Sequence, residues 1–445
     1  MNYLQEYRSR LCSPEEAVKL VRSGDWVDYG SNNSMPWLLD QALSQRKDEL
    51  KSVKVRGNLL PGPVAVVECD PEQEHFVYST WHCGAYERKL CAAGRAFFSP
   101  MLFRDLAWYY KNFLTVNVAM ISVAPMDEDG CFSFSGALGA VSPPLSVAEK
   151  IIVEVNEALP RIHGGPETKI HVSRVDAIVE AGYREPWGMQ NPEPTEIDSR
   201  IASYVLPYIH DGATVQLGIG GMPNALGRLI VDSDLKDLGM HTELCSDAYY
   251  DLYRAGKLTN ARKNIHPGKS VLGLAIGSRE LYDWLNDNDD ILGFPLSYVN
   301  DPAVISSIDN MISINGCLNA DLYGQVSSES TGTRQISGTG GQLDFVTGAS
   351  ASRGGHSFLC MSSTFTDRSG AVHSRILPRF TEGDIITTPR TQVWSLVTEF
   401  GIAELAGRST WERADALISV AHPDFREELI RAAEAQHIWL PSNRR

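Results

Sequence analysis

No uncharged apolar run in this 445-residue chain approaches the roughly 18 residues that a membrane span requires. The opening Met1–Arg8 lacks a basic region followed by an apolar stretch, so no secretory signal is expected. No low-complexity tract occurs, and with 21% charged and 43% hydrophobic residues the composition is that of a folded chain. The eight cysteines, at 12, 69, 83, 91, 131, 245, 317 and 360, contain no Cys-x-x-Cys pair. Neither a disulfide framework nor a zinc site is therefore suggested, and a reduced cytoplasmic setting is the default. Positive charge is also scarce: the formal net charge is -15, which argues against a nucleic-acid partner. A small anionic ligand stays possible, because a local cluster of Lys and Arg can dominate its surroundings.

What is present is enough chain for two or three domains, each with its own core. The proline-rich segment 184–195 reads as a linker between halves 1–185 and 196–445. Before it, Lys169–Ser173 and Asp176–Glu180 read as strands. After it, apolar residues at helical spacing predict a helix from Ile197 to Ile209. The halves echo one another. Glu15–Val21 reads as a helix leading into Ser23–Asn33, and the helix ending at Ile209 leads into Asp211–Gly221. Aligned without gaps, both give a Gly C-cap, a short strand around Val27 or Val215, and a glycine at the strand end. A second echo pairs Ile152–Asn156 with Ile312–Asn315. Val116–Val123 and Ser357–Met361 have the continuous apolar character of parallel strands covered on both faces. The expected fold class is α/β: two similar open α/β domains with mostly parallel sheets, internally duplicated.

Two glycine-rich segments stand out. In Gln216–Asn224, glycines 218, 220 and 221 precede an expected helix over Ala225–Ile230. Glycines at a strand end allow close approach of backbone to ligand, and a helix N-terminus offers unbonded amides to a phosphate or oxyanion. The pattern is neither Gly-x-Gly-x-x-Gly nor a P-loop, and a tight structural turn is the alternative. The second loop, Ser337–Phe345, carries glycines 338, 340 and 341; a flexible surface loop is its alternative. Glu243, in Gly239–Glu243, is a candidate carboxylate nucleophile between such amides, though a lone Glu is more commonly a cap or surface carboxylate. His241 would point to the same side of an extended strand. No histidine pairs with Glu or Cys at metal spacing, and no Gly-x-Ser-x-Gly elbow occurs. Arg262, Lys263, Lys269 and Arg279 are either solvated charges or a phosphate-facing group. Ser31–Pro36 and Trp81–Gly84 occupy loops of the first half, as ordinary surface turns or as determinants of substrate choice.

Several long segments, in order, resemble the acetyl-CoA hydrolase/transferase family: Gly239–Glu243, Gln216–Asn224, Asp321–Val326, Gln335–Gly338 with Gly340–Phe345, and Val397–Gly401. The resemblance runs from Ala17–Gly30 to His437–Trp439, nearest to members acting as butyryl-CoA:acetate and 4-hydroxybutyrate CoA-transferases. It implies a two-domain fold with the site between the halves and with Glu243, in the C-terminal half, as the nucleophile. It implies CoA-binding roles for Gly220, Gly221, Met222, Pro223, Asn224, Leu318, Gly340 and Gly341. Asn315 and Glu399 match family positions near the reacting centre. The implied reaction is transfer of CoA from butyryl-CoA or a similar short-chain acyl-CoA to acetate, with coenzyme A as substrate and as a covalent glutamyl-CoA intermediate. No permanently bound cofactor or metal is implied, and a homo-oligomer is. The competing readings are a 4-hydroxybutyrate or propionate transferase, an acyl-CoA hydrolase opening the same intermediate with water, a non-catalytic CoA- or nucleotide-binding regulator, and, more weakly, a sugar-phosphate isomerase.

Overall fold

The structure is a computed structural model that describes residues 3–188, 192–440 and 442. Residues 189–191 of the proline-rich segment lie outside the described residues. Two large sheets dominate. Their strands, numbered in chain order, are β1 Trp26–Ser31, β2 Val53–Asn58, β3 Phe76–Thr80, β4 Phe97–Phe98, β5 Val118–Val123, β6 Lys150–Asn156 and β7 Ala177–Gly182 in the first sheet. The second holds β8 Thr214–Leu217, β9 Gly239–Cys245, β10 Ser270–Ala275, β11 Ile291–Gly293, β12 Met311–Gly316, β13 His356–Cys360, β14 Ser395–Thr398 and β15 Gly401–Glu404. Among the helices are α1 Trp37–Ser44, α2 Glu196–Val205, α3 Gly221–Asp232, α4 Gln342–Ala351, α5 Thr410–Ser419 and α6 Pro423–Ala435.

The first sheet has the order β4-β3-β2-β1-β5-β6-β7, and every pairing in it is parallel. The second has the order β11-β10-β9-β8-β12-β13-β14-β15. β8 pairs in parallel with β9 and β12, and the antiparallel β14–β15 pair closes the far end. Strand for strand the orders repeat, β1 standing for β8 and β5 for β12. The chain is therefore an internally duplicated α/β fold. Continuous apolar strands follow from this arrangement, since helices cover both faces of a parallel sheet; all six residues of β5 and of β10 are buried.

The registers refine the duplication. Val27 pairs with Val55 and Val118, while Val215 pairs with Met240 and Ile312. The first sequence echo holds: Gly24 and Gly212 both adopt positive φ, +89° and +79°, which glycine accepts without strain. The second echo is corrected. Ile152–Asn156 lies in β6, whose counterpart is β13, whereas Ile312–Asn315 lies in β12, whose counterpart is β5. Buried parallel strands are all short β-branched runs, so any two of them look alike.

The chain divides into two compact units. One comprises Met1–Gln190, Glu243–Asp247 and Val271–Val299; the other comprises Asn191–Thr242, Ala248–Ser270 and Asn300–Arg445. This grouping differs from a single cut at the proline-rich segment, because the chain returns to the first unit twice. The core of the first unit gathers Val27, Tyr29, Leu39, Val55, Tyr78, Met120 and Ile152. That of the second gathers Leu322, Leu359, Leu396, Leu417, Leu429 and Trp439 from strands and from α5 and α6.

Inside the first unit a carboxylate fastens a helix to the sheet. Glu154 of β6 accepts hydrogen bonds from Leu38 N (2.9 Å) and Leu39 N (3.1 Å), the second and third amides of α1. Burial raises its pKa to about 7, against the opposing pull of those amides and of Arg184. A carboxyl whose folded pKa exceeds its unfolded value contributes stability at low pH that is lost as pH rises toward the folded pKa. Glu154→Gln removes that titration. The variant is therefore expected to gain stability relative to the unsubstituted protein as pH rises from 5 to 8, by on the order of 1–3 kcal/mol. Thermal unfolding at the two pH values checks it; parallel pH responses of the two proteins would show that Glu154 does not titrate in this range.

Candidate active site

In open α/β sheets, ligands bind outside the carboxyl ends of the strands, where the strand order reverses direction. In the second sheet that point is the β8–β12 pair: β9, β10 and β11 lie on one side of β8, and β12 to β15 on the other. The glycine segment begins there. Gly218 N donates to Ile314 O at 2.9 Å, and Gly218 touches Asn315, with Asn315 Cα 3.7 Å from where a Cβ on Gly218 would stand. Gly220 turns the chain with φ +119°, a conformation that strains L side chains.

Helix α3 then starts at Gly221, four residues earlier than the sequence suggested. Pro223 sits comfortably in the first turn, where a missing N–H costs nothing. The first intrahelical bond is made by Asn224 N to Gly220 O, 3.2 Å. The N–H groups of Gly221 and Met222 thus stand at the positive end of a 12-residue helix without an acceptor among the described residues. Gly221 has no room for a side chain: a Cβ would fall 2.5 Å from Asp198 Oδ2. That carboxylate is held in turn by the α2 capping box, through Thr195 N (2.9 Å) and Thr195 Oγ1 (2.7 Å).

Asn315 is positioned by a residue that composition alone did not single out. Gln216, buried in β8, donates from Nε2 to Asn315 Oδ1 (3.1 Å) and accepts from Asn315 Nδ2 (3.0 Å) and Ser313 Oγ (2.8 Å). This reciprocal amide pair locks the Asn315 rotamer at the strand end. Glu399, directly after β14, is only 6% exposed and is held by Ser363 N (2.8 Å) and Ser363 Oγ (2.6 Å). Leu318 presents its backbone, N donating to Ser327 O (2.9 Å) and O accepting from Arg375 Nη1 (3.0 Å).

The second glycine segment is shorter than expected. The loop ends at Gly341, and Gln342–Phe345 forms the first turn of α4, with Phe345 N bonded to Gly341 O at 2.9 Å. Gly340 is buried with φ +54°. Asn315, Leu318, Gly340, Gly341, Glu399 and the Gly220–Asn224 turn all belong to the second unit.

Glu243 belongs to the first unit. It is the fifth residue of β9, half-buried, and follows the wholly buried His241 and Thr242. It is thus a strand residue near a carboxyl end, not a helix cap or a surface carboxylate. The residue of the first sheet at the equivalent count from the paired valines is Asn58, which donates to Ser31 Oγ (2.8 Å) at the end of β1.

Of the four basic residues, Arg262 and Arg279 are solvated charges, tied to Asp237 (2.8 Å) and Asp283 (2.8 Å) respectively. Lys263 is buried, donating to Met240 O (2.8 Å) and Lys269 O (2.6 Å), and desolvation pulls its pKa down to about 7. The loops of the first half are not surface turns. Ser31, Asn32, Ser34, Met35 and Trp81 are at most 1% exposed, and burial lowers the His82 pKa to about 4.

Residues 1–183 match the N-terminal domain of the acetyl-CoA hydrolase/transferase family and residues 277–433 its C-terminal domain. The chain belongs to the acetyl-CoA hydrolase/transferase family. It is an enzyme of the CoA-transferase class. It is 46% identical to a butyryl-CoA:acetate CoA-transferase of Anaerostipes caccae over 100% of both chains. It is 45% identical to a probable butyrate:acetyl-CoA coenzyme A-transferase of Syntrophomonas wolfei, covering 99% of this chain and 98% of that one. Among solved structures, RipA from Yersinia pestis superposes with a TM-score of 0.91 at 35% identity, covering 98% of this chain and 100% of that one. A 4-hydroxybutyrate CoA-transferase from Porphyromonas gingivalis gives 0.81 at 31% identity, covering 98% and 100%.

The geometry of this family member's α3 turn sets one test. Gly221→Ala forces the turn away from Asp198. Because small misplacements of a binding element lower rates steeply, kcat/KM for acyl-CoA is expected to fall by roughly 10²-fold. Gly221→Ala combined with Asp198→Ala should recover part of the loss in the same steady-state assay. No recovery would show that the Gly221–Asp198 contact is not what limits the turn.

Proposed function

We propose that this enzyme transfers CoA from butyryl-CoA, or a similar short-chain acyl-CoA, to acetate in the cytoplasm, working as a homo-oligomer with no permanently bound cofactor. The observation that carries this reading is the full-length, 46% identity to a butyryl-CoA:acetate CoA-transferase. Glu243 is the nucleophile. Its carboxylate attacks the acyl-CoA carbonyl, forming an acyl-glutamyl anhydride and CoA thiolate. The thiolate then attacks the glutamyl carbonyl, forming a glutamyl-CoA thioester and releasing the carboxylate product. Acetate reverses the two steps and leaves as acetyl-CoA. The thioester's energy is conserved throughout, and the kinetics are ping-pong.

Each tetrahedral intermediate carries an oxyanion that needs donors in place beforehand. The amides of Gly221 and Met222 and the backbone at Gly340 and Gly341 are assigned to the CoA thioester, together with Pro223, Asn224 and Leu318. Asn315, fixed by Gln216, and Glu399, fixed by Ser363, are assigned to positions near the reacting carbonyl. Binding energy from the distant parts of CoA is available to draw the acyl end into place. Propionyl-CoA and 4-hydroxybutyryl-CoA are the neighbouring donors. Hydrolysis of the same intermediate is the second reading, favoured by the family's joint hydrolase/transferase description.

Glu243→Gln and Glu243→Ala are expected to lower transfer by on the order of 10⁴-fold or more, while equilibrium binding of CoA persists. Near-normal turnover of either variant overturns the nucleophile assignment. Free-thiol release measured with and without acetate separates the two reactions. Transfer yields acetyl-CoA only when acetate is present, whereas hydrolysis yields free CoA without it.

A further inference from the structure

Three glycines within four residues, Gly338, Gly340 and Gly341, are costly to hold in one conformation, yet all three are buried. Something fastens the segment, and the contacts converge on the short turn at Ser328–Glu329. The backbone carbonyl of Glu329 accepts from Ile336 N (2.8 Å) and Ser337 N (3.2 Å). Ser337 Oγ donates to Ser328 O (3.2 Å), and Gln342 Nε2 donates to Ser328 Oγ (2.8 Å) and Thr388 Oγ1 (3.0 Å). The Glu329 carboxyl itself lies against the hydroxyls of Thr339, the residue between Gly338 and Gly340, and of Thr387.

That carboxyl is out of place for a mere brace. Glu329 is 5% exposed, and its Oε2 has no hydrogen-bond partner among the described residues. A buried polar atom left unpaired is destabilising. Burial pushes the Glu329 pKa upward, against the opposing pull of the Thr339 and Thr387 hydroxyls. The segment it holds is one of the two assigned above to the CoA thioester, so the inference rests on that assignment. CoA thioesters carry two amides in the pantetheine arm. Each offers both an N–H and a C=O, so either can satisfy a carboxyl oxygen in its ionised or its protonated form.

We propose that Glu329 is a positioning residue for the acyl-CoA substrate: through Thr339 it sets the backbone of Gly340 and Gly341, and its unpaired Oε2 is completed by a pantetheine amide of the bound thioester. It takes no part in bond making at the acyl carbon. Its loss is therefore felt in acyl-CoA binding rather than in the carboxylate acceptor.

Steady-state kinetics with butyryl-CoA and acetate test this. Glu329→Ala is expected to raise KM for butyryl-CoA by about tenfold or more, the equivalent of one lost hydrogen bond to a charged group. KM for acetate should move by less than about twofold. Glu329→Gln, which keeps an oxygen toward Thr339, should recover most of the affinity, and Thr339→Val should reproduce part of the defect even if Glu329→Ala folds poorly. An unchanged butyryl-CoA KM in Glu329→Ala and Thr339→Val overturns the proposal. So does a loss that strikes both KM values equally and tracks a lowered melting temperature, which would make Glu329 structural only. Failure of the underlying functional reading looks different: the unsubstituted protein would show no transfer, or Glu243→Ala would remain active.

Discussion

The parallel pairing of β8 with β12 is the constraint on which the rest of the architecture depends. Val215 pairs with Met240 on one side and Ile312 on the other, so the chain leaving β8 and the chain leaving β12 must diverge. Helices cannot cover both strand ends at such a point, and backbone is left open where it would otherwise be packed. The glycines at 218, 220 and 221, the N-terminus of α3 and the locked Asn315 all sit at this one discontinuity. Their juxtaposition depends on β12 standing beside β8.

The same discontinuity occurs twice, and the two copies are finished differently. At the end of β1 the chain uses Ser31 and Asn32, both fully buried, with Asn32 Nδ2 donating to Gly136 O (3.3 Å) and Asn58 to Ser31. At the end of β8 it uses Gly218, Ile219 and Gly220, and Ile219 is 44% exposed. Polar side chains seal one copy while bare backbone opens the other. Asn32 with φ 39° and Gly220 with φ +119° are the aligned positions, both at positive φ but in different backbone conformations. A duplicated fold thus leaves one copy to carry the amides and the other to carry buried polar packing.

Much of this was legible in the chain itself. Continuous apolar runs gave the parallel class, and the ungapped match of Ser23–Asn33 to Asp211–Gly221 exposed the duplication, because turn glycines and strand valines are forced by backbone geometry. The resemblance of Gln216–Asn224, Gly239–Glu243 and Gln335–Phe345 to the family located the candidate residues. The start of α3 was missed because Gly-Gly-Met-Pro looks like a loop, although proline belongs in a first helical turn. The apparent kinship of Ile152–Asn156 with Ile312–Asn315 misled because buried strands share composition whatever their place in the sheet. The burial of Lys263 was not legible, since sequence does not display the carbonyls of Met240 and Lys269 that its ammonium reaches. Gln216, Ser363 and Glu329 act through partners far away in the chain, 99, 36 and 10 residues for Asn315, Glu399 and Thr339 respectively, and no local pattern announces such partners.

Covalent chemistry at a single carboxylate is the central claim, and trapping it is the most direct measurement. Incubation with butyryl-CoA followed by borohydride reduces a glutamyl thioester to an alcohol, which peptide mass spectrometry can locate. The expected result is one modified residue, Glu243, formed only when acyl-CoA is present and diminished when excess acetate is added before the borohydride to turn the intermediate over. Reduction at any other residue, or an unmodified Glu243 in a protein that is still transferring CoA, would contradict it.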